Sequence, residues 1–360
     1  MERTSFDQVD LSQKVLIFNQ TEPDCVTIIP TYRCNASCRE CCFESNPSIK
    51  HRMTWDDLSS TIHKVKSEFP HVRYVVLTGG EITLLKSELI EAIKLLSKLG
   101  LGSRIVTNGH WGRTDESAVE WVTRLKDAGL SELNLSTGDE HQEWVPFESV
   151  ARAAYHAVVK GLLTLIVVEG QDKAKFKLDS LKENEHIKTI FEAEELRNKF
   201  ILMSNIWMPF HENANFTSDN PGIKYEGCDN IFENFVINPY GYLMSCCGLT
   251  MEYIPELKVG SVYTDSLKAT YHQQYKDVLK LWIWLDGTRY IFDKLSEKHH
   301  LRLISPHPCS ICAQIYKDES IRETLIELLQ ENEENIIFRS AIKARISGRS
   351  ISRPHVVPYL

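Results

Sequence analysis

Residues 34–41 read Cys-Asn-Ala-Ser-Cys-Arg-Glu-Cys and come just after a short apolar segment, the first predicted strand. The spacing C-x3-C-x2-C brings the thiols of Cys34, Cys38 and Cys41 into one tight loop. Thiolates are the usual ligands of iron–sulfur clusters, and three of them on a four-iron cube leave the fourth iron open to another molecule. Two other interpretations stay open on this spacing: a zinc site completed by His51, and buried thiols that bind no metal.

The composition of the 360-residue chain, with 42% apolar and 25% charged residues, is that of an ordinary globular protein. A net charge of −8 and a pI near 5.9 make nucleic acid an unlikely main partner, because phosphate binding needs a basic surface. No apolar run approaches the ~18 residues of a membrane span, and the N-terminus lacks the apolar core of a signal peptide. We therefore expect a cytoplasmic protein without membrane contact, whose ten cysteines bind metal rather than form disulfides.

Predicted strands and helices alternate through the first part of the chain. The predicted strands lie at residues 26–30, 72–77, 104–107, 132–136, 163–168 and 201–207. Segments with helical periodicity lie between them, and the first has a capping-box start at Thr54. This order indicates an α/β fold with a parallel sheet, and six repeats predict a partial (β/α)6 TIM-type barrel. Barrel enzymes place their functional residues at the carboxyl ends of the strands.

Three polar, glycine-containing turns follow predicted strands at the same position as the cysteine loop: Gly79-Gly80-Glu81, Asn108-Gly109 and Ser136-Thr137-Gly138. A glycine pair at a strand end lets the backbone approach a ligand closely or turn with positive φ. Each turn alone is ordinary. Together with the cysteine loop they predict one binding site at one edge of the sheet.

The cysteine loop and these turns resemble the radical S-adenosylmethionine (SAM) superfamily, over about residues 22–210. The resemblance implies a [4Fe-4S] cluster on Cys34, Cys38 and Cys41, whose fourth iron chelates SAM. It implies reductive cleavage of SAM to a 5′-deoxyadenosyl radical, which abstracts a hydrogen atom from a substrate. It also implies a reducing partner such as flavodoxin or ferredoxin.

The same resemblance assigns SAM contacts to strand-end residues. The candidates are Gly79, Gly80, Glu81, Asn108, Ser136, Arg152 and Val168. In this assignment Glu81 engages the amino group of SAM, Ser136 contacts its ribose or carboxylate, and the strand that ends at Val168 packs on its adenine. Glu40 stands where the family usually has an aromatic residue.

A second cysteine set lies beyond a polar, turn-rich segment at residues 211–222. A predicted β-hairpin carries C-x12-G-x4-C and a later segment carries C-x2-C; together they supply Cys228, Cys246, Cys309 and Cys312. Four thiolates satisfy either a zinc ion or an iron–sulfur cube. The pattern resembles the twitch domain, a shortened SPASM domain, and so implies one auxiliary [4Fe-4S] cluster.

Three cysteines, Cys25, Cys42 and Cys247, belong to neither set. Cysteines beside proposed ligands are commonly small buried hydrophobes. Cys247 allows a second interpretation, because radical SAM epimerases use a non-ligand cysteine to donate a hydrogen atom to the substrate radical. By this resemblance Cys247 is a candidate hydrogen-atom donor.

The predicted organisation has four regions. Residues 1–21 form an N-terminal extension, 22–215 the barrel, 216–318 a small α+β twitch/SPASM-like domain, and 319–360 a helical C-terminal tail. We expect a radical SAM enzyme with two [4Fe-4S] clusters that acts on a ribosomally made peptide or a small natural-product precursor. Oxidation, epimerisation and crosslinking all start from the same substrate radical. The alternatives are a non-catalytic zinc-binding protein and a radical SAM enzyme that modifies tRNA.

Overall fold

The protein's structure is a computed structural model that describes residues 22–170, 173–207 and 225–346. The predicted N-terminal extension lies outside the described residues. So do the polar segment at residues 211–222 and the end of the predicted tail, residues 347–360. No helix in the described ranges is long and apolar enough to cross a membrane.

In the described part of the chain, a nine-stranded sheet runs in the order β6-β5-β4-β3-β2-β1-β7-β8-β9. Its strands are β1 Cys25–Thr31, β2 Tyr74–Gly79, β3 Gly102–Thr107, β4 Glu132–Thr137, β5 Leu163–Glu169, β6 Phe200–Asn205, β7 Asn234–Ile237, β8 Tyr242–Met244 and β9 Lys258–Ser261. The first six strands are parallel to their neighbours. The sheet stays open, with β6 and β9 at its edges. The predicted partial (β/α)6 barrel is confirmed.

Helices connect the parallel strands and continue after the hairpin. They are α1 Trp55–Glu68, α2 Ser87–Lys98, α3 Asp115–Asp127, α4 Asp139–Gln142, α5 Phe147–Val159, α6 Leu178–Leu181, α7 Glu185–Glu192, α8 Glu194–Arg197, α9 Asn230–Glu233, α10 Leu267–Gln273, α11 Val278–Ser296, α12 Pro308–Lys317 and α13 Arg322–Ile346. The capping box predicted at Thr54 is present: the hydroxyl accepts from the amide of Asp57 at 3.1 Å, and the Asp57 carboxylate accepts from the amide of Thr54 at 3.3 Å. These two bonds satisfy amides that the first helical turn leaves without partners.

The predicted hairpin forms, but it does not make a sheet of its own. Strand β7 pairs in parallel with β1, from Cys25↔Asn234 to Ile28↔Ile237, and β8 returns antiparallel to it. Backbone hydrogen bonds therefore join the hairpin of the second cysteine set to β1, the strand that leads into the cysteine loop of residues 34–41. The sequence did not predict this pairing, since the partners are far apart in the chain.

Aromatic side chains pack the C-terminal helices against the barrel. Tyr275 and Phe232 stack with ring centroids 4.2 Å apart, and the Tyr271 hydroxyl donates to the Phe232 carbonyl at 2.7 Å. Both tyrosines are buried, so they serve packing. Helices α10 and α11 are separate because Asp277 between them is extended, and its side chain accepts from the amide of Lys280 at the start of α11.

Candidate active site

A cavity of about 410 Å³ opens at the carboxyl ends of the parallel strands and continues into the barrel. This volume lies within the ~300–1,000 Å³ range of small-molecule sites. Its wall contains Cys34, Cys38 and Cys41 on one side and Cys247 with Gly248 on another. Inward-facing residues of β1 to β5 complete the wall: Thr27, Val76, Arg104, Asn134, Ser136 and Val167.

Backbone amides surround the sulfur atoms of the cysteine loop. The amide of Ala36 donates to Cys34 Sγ and the amide of Ser45 donates to Cys41 Sγ, both at 3.4 Å. Burial nevertheless raises the pKa of Cys34 and Cys38 to about 12 each, and nearby acidic groups add to this shift. Three half-buried thiols in one loop fit a cationic metal group, which exchanges thiol protons for metal–sulfur bonds.

The alternative zinc site with His51 does not match the position of that side chain. The His51 ring stacks on Tyr240, with centroids 4.5 Å apart and planes 4° from parallel. Its Nε2 lies 2.9 Å from the Pro239 carbonyl oxygen. The imidazole is therefore engaged by the β7–β8 turn.

The glycine pair after β2 lets this strand pack against the start of the cysteine loop. Gly80 N donates to the Thr31 carbonyl at 2.9 Å, and Glu81 N donates to the Arg33 carbonyl at 2.8 Å. A Cβ atom on Gly79 would overlap the Thr31 carbonyl oxygen, and one on Gly80 would overlap that of Arg33. Both glycines also line the cavity. The pair therefore fixes the cysteine loop as well as bordering the predicted SAM site.

The carboxylate of Glu81 is bound by the protein itself. One oxygen accepts from the amide and hydroxyl of Thr83 and from the Thr107 hydroxyl, at 2.7 Å for the last. The other accepts from the amide of Asn108 at 2.8 Å. Three of these four bonds fall on Oε1 and one on Oε2, and a carboxylate offers about four acceptor sites, so Oε2 keeps one acceptor site. Glu81 is fully buried and holds the β3 turn, and the expectation that it also binds the amino group of SAM stays a prediction.

Asn108 and Ser136 lie where the sequence predicted them, on the cavity wall. Asn108 Nδ2 donates to Asn35 Oδ1 at 2.9 Å and lies 3.8 Å from Cys34 Sγ, so it ties the β3 turn to the cysteine loop.

Two predicted SAM contacts do not reach the cavity in the described structure. Val168 is buried on the opposite face of β5, and its neighbour Val167 lines the cavity instead, because successive side chains on a strand point to opposite faces. Arg152 donates to the carbonyls of Gly112 and Arg113 at 2.9 and 3.0 Å, and so binds the loop before α3.

An ion pair that the sequence did not predict holds the cysteine loop from outside. Arg39, between the second and third cysteines, donates from Nη2 and Nε to the two carboxylate oxygens of Glu140, at 2.6 and 2.9 Å. The Arg39 amide donates to the same carboxylate at 3.2 Å. Glu140 lies in α4, just after β4, so this ion pair links the cysteine loop to the end of β4. Charge spacing gave no signal for this contact, because the partners are 101 residues apart.

Four cavity-lining side chains carry a buried polar atom with no hydrogen-bond partner among the described residues. They are Glu40 Oε2, Ser45 Oγ, Asn134 Oδ1 and His141 Nδ1. Burial and the charges of Glu169, Glu140 and Asp139 raise the pKa of Glu40 to about 8, and burial lowers that of His141 to about 4. Unpaired buried polar groups cost free energy, so this wall fits a polar ligand that supplies the missing partners.

The second cysteine set also comes together in space. Cys246 Sγ and Cys309 Sγ both approach the position that a Cβ on Gly248 would take, at 3.3 and 3.4 Å. Burial is the main cause that raises the pKa of Cys312, and the charges of Cys246, Cys309 and Cys228 add to it. The four thiols are therefore mutual neighbours, and α12 presents two of them in its first turns.

Cys247 follows Cys246 in the chain and lines the cavity. Its accessible surface lies on the cavity wall, and its thiol hydrogen bonds with the Thr27 side chain. Burial raises its pKa, against smaller opposing effects from Thr27 and Arg104. Cys42 lines the same cavity, whereas Cys25 is buried and contacts Asn234.

Residues 28–166 match the family model described as the Radical SAM superfamily. This part of the chain is a radical SAM domain. The radical SAM domain includes the cysteine loop, the glycine pair and Ser136, so the cavity wall described above is largely its own. The second cysteine set lies outside the matched residues.

A protein of Bacillus subtilis (strain 168), named "Putative peptide biosynthesis protein YydG", is 26% identical over 144 residues. The alignment covers 39% of this chain and 43% of that protein, so less than half of each is compared. Among solved structures, hexahistidine-tagged anSMEcpe with bound AdoMet matches at a TM-score of 0.53 and 15% identity, over 91% of this chain and 99% of that one. Native anSMEcpe with bound AdoMet and Cp18Cys peptide matches at 0.51 and 15%, over 88% and 98%. At this identity the likeness is one of fold.

Proposed function

We propose that this protein is a radical SAM enzyme that inverts the configuration of a carbon atom in a peptide substrate. The observation that carries the proposal is one cavity that has the Cys34, Cys38 and Cys41 loop on its wall and the thiol of Cys247 as well. Support for a peptide substrate comes from the name of the Bacillus subtilis relative.

In this proposal Cys34, Cys38 and Cys41 hold a [4Fe-4S] cluster, and the open iron binds SAM. When bound, these groups supply a 5′-deoxyadenosyl radical that removes a hydrogen atom from the substrate. The protein's own residues hold and orient SAM and the substrate. Asn108 and Ser136 border SAM, Asn134 offers it or the substrate an unpaired acceptor, and Glu81 fixes the turn that carries Asn108.

The position of Cys247 suits a hydrogen-atom donor from the opposite side. It contacts Thr27, which lies four residues before the end of β1 and thus roughly 13 Å below the start of the cysteine loop. A substrate carbon between the two ends can lose a hydrogen atom on one face and gain one on the other. The raised pKa of Cys247 keeps its S–H bond intact near neutral pH, which hydrogen-atom donation requires.

The donation step balances with one external reductant. The S–H bond of Cys247 breaks, a C–H bond forms on the substrate, and the resulting thiyl radical takes up one electron and one proton. The electron comes from a flavodoxin- or ferredoxin-type partner.

We further propose that Cys228, Cys246, Cys309 and Cys312 hold a second [4Fe-4S] cluster, which would place an electron carrier beside Cys247. Four thiolates satisfy either a zinc ion or an iron–sulfur cube. The resemblance of the C-x12-G-x4-C and C-x2-C pattern to a twitch domain supports the cube.

The test begins with anaerobic purification, iron and sulfide counting, and incubation with SAM and dithionite. We expect about eight irons per chain and 5′-deoxyadenosine. Colourless protein that holds only zinc and forms no 5′-deoxyadenosine would refute the proposal.

The Cys247→Ala variant then tests the stereochemical outcome. In D2O the wild type should place one deuterium on the inverted carbon of the peptide. The variant should still cleave SAM but lose both the deuterium and the inversion. Cys25→Ala serves as the matched control, because Cys25 is a buried thiol near Cys247 that does not itself line the cavity. Unchanged inversion in Cys247→Ala would exclude the thiol as donor.

A further inference from the structure

The edge strand β6 differs from the other barrel strands in its exposure. The sheet ends there, and no strand in the described ranges pairs with its outer side. Ile201 and Met203 are 37% and 40% exposed, which is unusual for large apolar side chains in a parallel sheet. An exposed, apolar edge strand is a template for pairing with another extended chain.

The hydrogen-bond register identifies the backbone groups that are free to pair. Thr164 N donates to the Lys199 carbonyl at 2.8 Å, and Gly170 N donates to the Asn205 carbonyl at 2.9 Å. Bonding alternates along a parallel ladder, so odd-numbered residues of β6 bond to β5. The amide and carbonyl groups of Leu202 and Ser204 therefore point outward, away from the sheet.

The same edge leads into the cavity. Met203 is paired with Val167, whose side chain lines the cavity, so Met203 lies on the inner face of the sheet. Asn205, the last residue of β6, and Trp207 just after it form part of the cavity wall. A chain laid along β6 would thus have every second side chain directed toward the cavity.

We propose that the substrate peptide binds as an added strand on the outer edge of β6, and so continues the open barrel. The inference rests on the proposed peptide substrate. The outward amide and carbonyl groups of Leu202 and Ser204 bind the peptide backbone, and Ile201 and Met203 contact its inward side chains. This mode of recognition reads backbone rather than sequence, and the cavity then selects the residue that enters it.

The test uses proline at positions that differ only in where their amide points. Ser204→Pro removes an outward N–H that the fold does not use, and proline is tolerated at such edge positions. Ser204→Ala is the matched control, because it removes the hydroxyl and keeps the N–H. Met203→Pro removes an N–H that pairs with β5, and should lower stability instead.

The probe is a phage-displayed library of random linear peptides, selected on the anaerobically reconstituted full-length protein with SAM. Selected peptides should bind wild type and Ser204→Ala equally and bind Ser204→Pro about 2- to 10-fold more weakly, the range expected for one lost backbone hydrogen bond. N-methylation of alternate peptide amides should weaken binding in one register and leave the other unchanged.

Hydrogen exchange resolved to single residues checks that the edge is free. The amides of Leu202 and Ser204 should exchange rapidly in the protein alone and slowly with bound peptide. Protection without peptide would mean that the chain covers its own edge, and it would overturn the inference.

Failure to select any peptide, or equal binding by Ser204→Pro, would also overturn it. A protein that forms 5′-deoxyadenosine while its peptide binding ignores Ser204→Pro keeps the proposed chemistry and loses the docking site. If the protein binds peptides along β6 but does not cleave SAM, the docking site stands and the proposed chemistry fails.

Discussion

Glu81→Gln separates two roles for the glutamate that follows the glycine pair. If Glu81 binds the amino group of SAM, the substitution weakens SAM binding and leaves the protein without SAM as stable as before. If Glu81 holds the β3 turn through its four hydrogen bonds, as the structure indicates, the protein without SAM loses stability. The two outcomes are distinct.

The magnitude follows from the contacts. The glutamine NH2 group would face either the Asn108 N–H or the Thr83 and Thr107 donors, depending on how the amide is turned. All four hydrogen bonds would also lose the negative charge of the acceptor. One buried donor left unpaired costs about 1–3 kcal/mol, and weakening of the charge-assisted bonds adds about 1 kcal/mol. We expect a loss of about 2–4 kcal/mol. With an unfolding entropy of roughly 2.1 cal/mol/K per residue, the melting temperature falls by about 3–5 °C.

The assay is thermal unfolding of the protein without SAM, followed by calorimetric titration of SAM into the reconstituted variant. The matched control is Glu88→Gln, which removes a carboxylate that pairs with Arg52 at the surface and should cost less than about 1 kcal/mol. An unchanged melting temperature together with weaker SAM binding would refute the structural role of Glu81 in the β3 turn.

Three further predictions concern the same wall. Gly80→Ala should prevent assembly of the iron site, because the added Cβ would overlap a backbone carbonyl. In the control Gly102→Ala the added Cβ would meet another side chain at 3.3 Å, and the iron content should stay unchanged. Equal iron content in the two variants would refute this prediction. Glu140→Gln should weaken the contact with Arg39 and broaden the electron paramagnetic resonance signal of the reduced protein, while the iron count stays the same. An unaltered signal would count against a role for this ion pair in fixing the loop. Because burial lowers the pKa of His141 to about 4, stability should fall as the pH drops from about 6.5 toward 4, and His141→Gln should flatten that dependence in thermal unfolding; a parallel pH profile would contradict it.

The local patterns of the chain were sufficient for the barrel and the cysteine loop. Strand and helix periodicity predicted the six parallel strands, and the capping box at Thr54 follows from residues three positions apart. The cysteine spacing within residues 34–41 and the turns at Gly79 and Ser136 are also local, and strand order then brings them to one edge. Such features depend on neighbours in the sequence, so the sequence alone predicts them.

The contacts that give the site its details depend on register and on long-range pairing. Whether Val167 or Val168 faces the cavity is decided by strand register, since a shift of one residue exchanges the two faces. The bonds of Glu81 to the β3 turn join residues that are 26 and 27 positions apart.

The cysteine spacing of residues 34–41 was enough to predict a metal-binding loop after the first strand. Only the tertiary structure decided what surrounds it. Arg39 meets Glu140, β7 joins β1, and Cys247 reaches the cavity because side chains far apart in the chain pack into one closely filled interior, which no local pattern encodes.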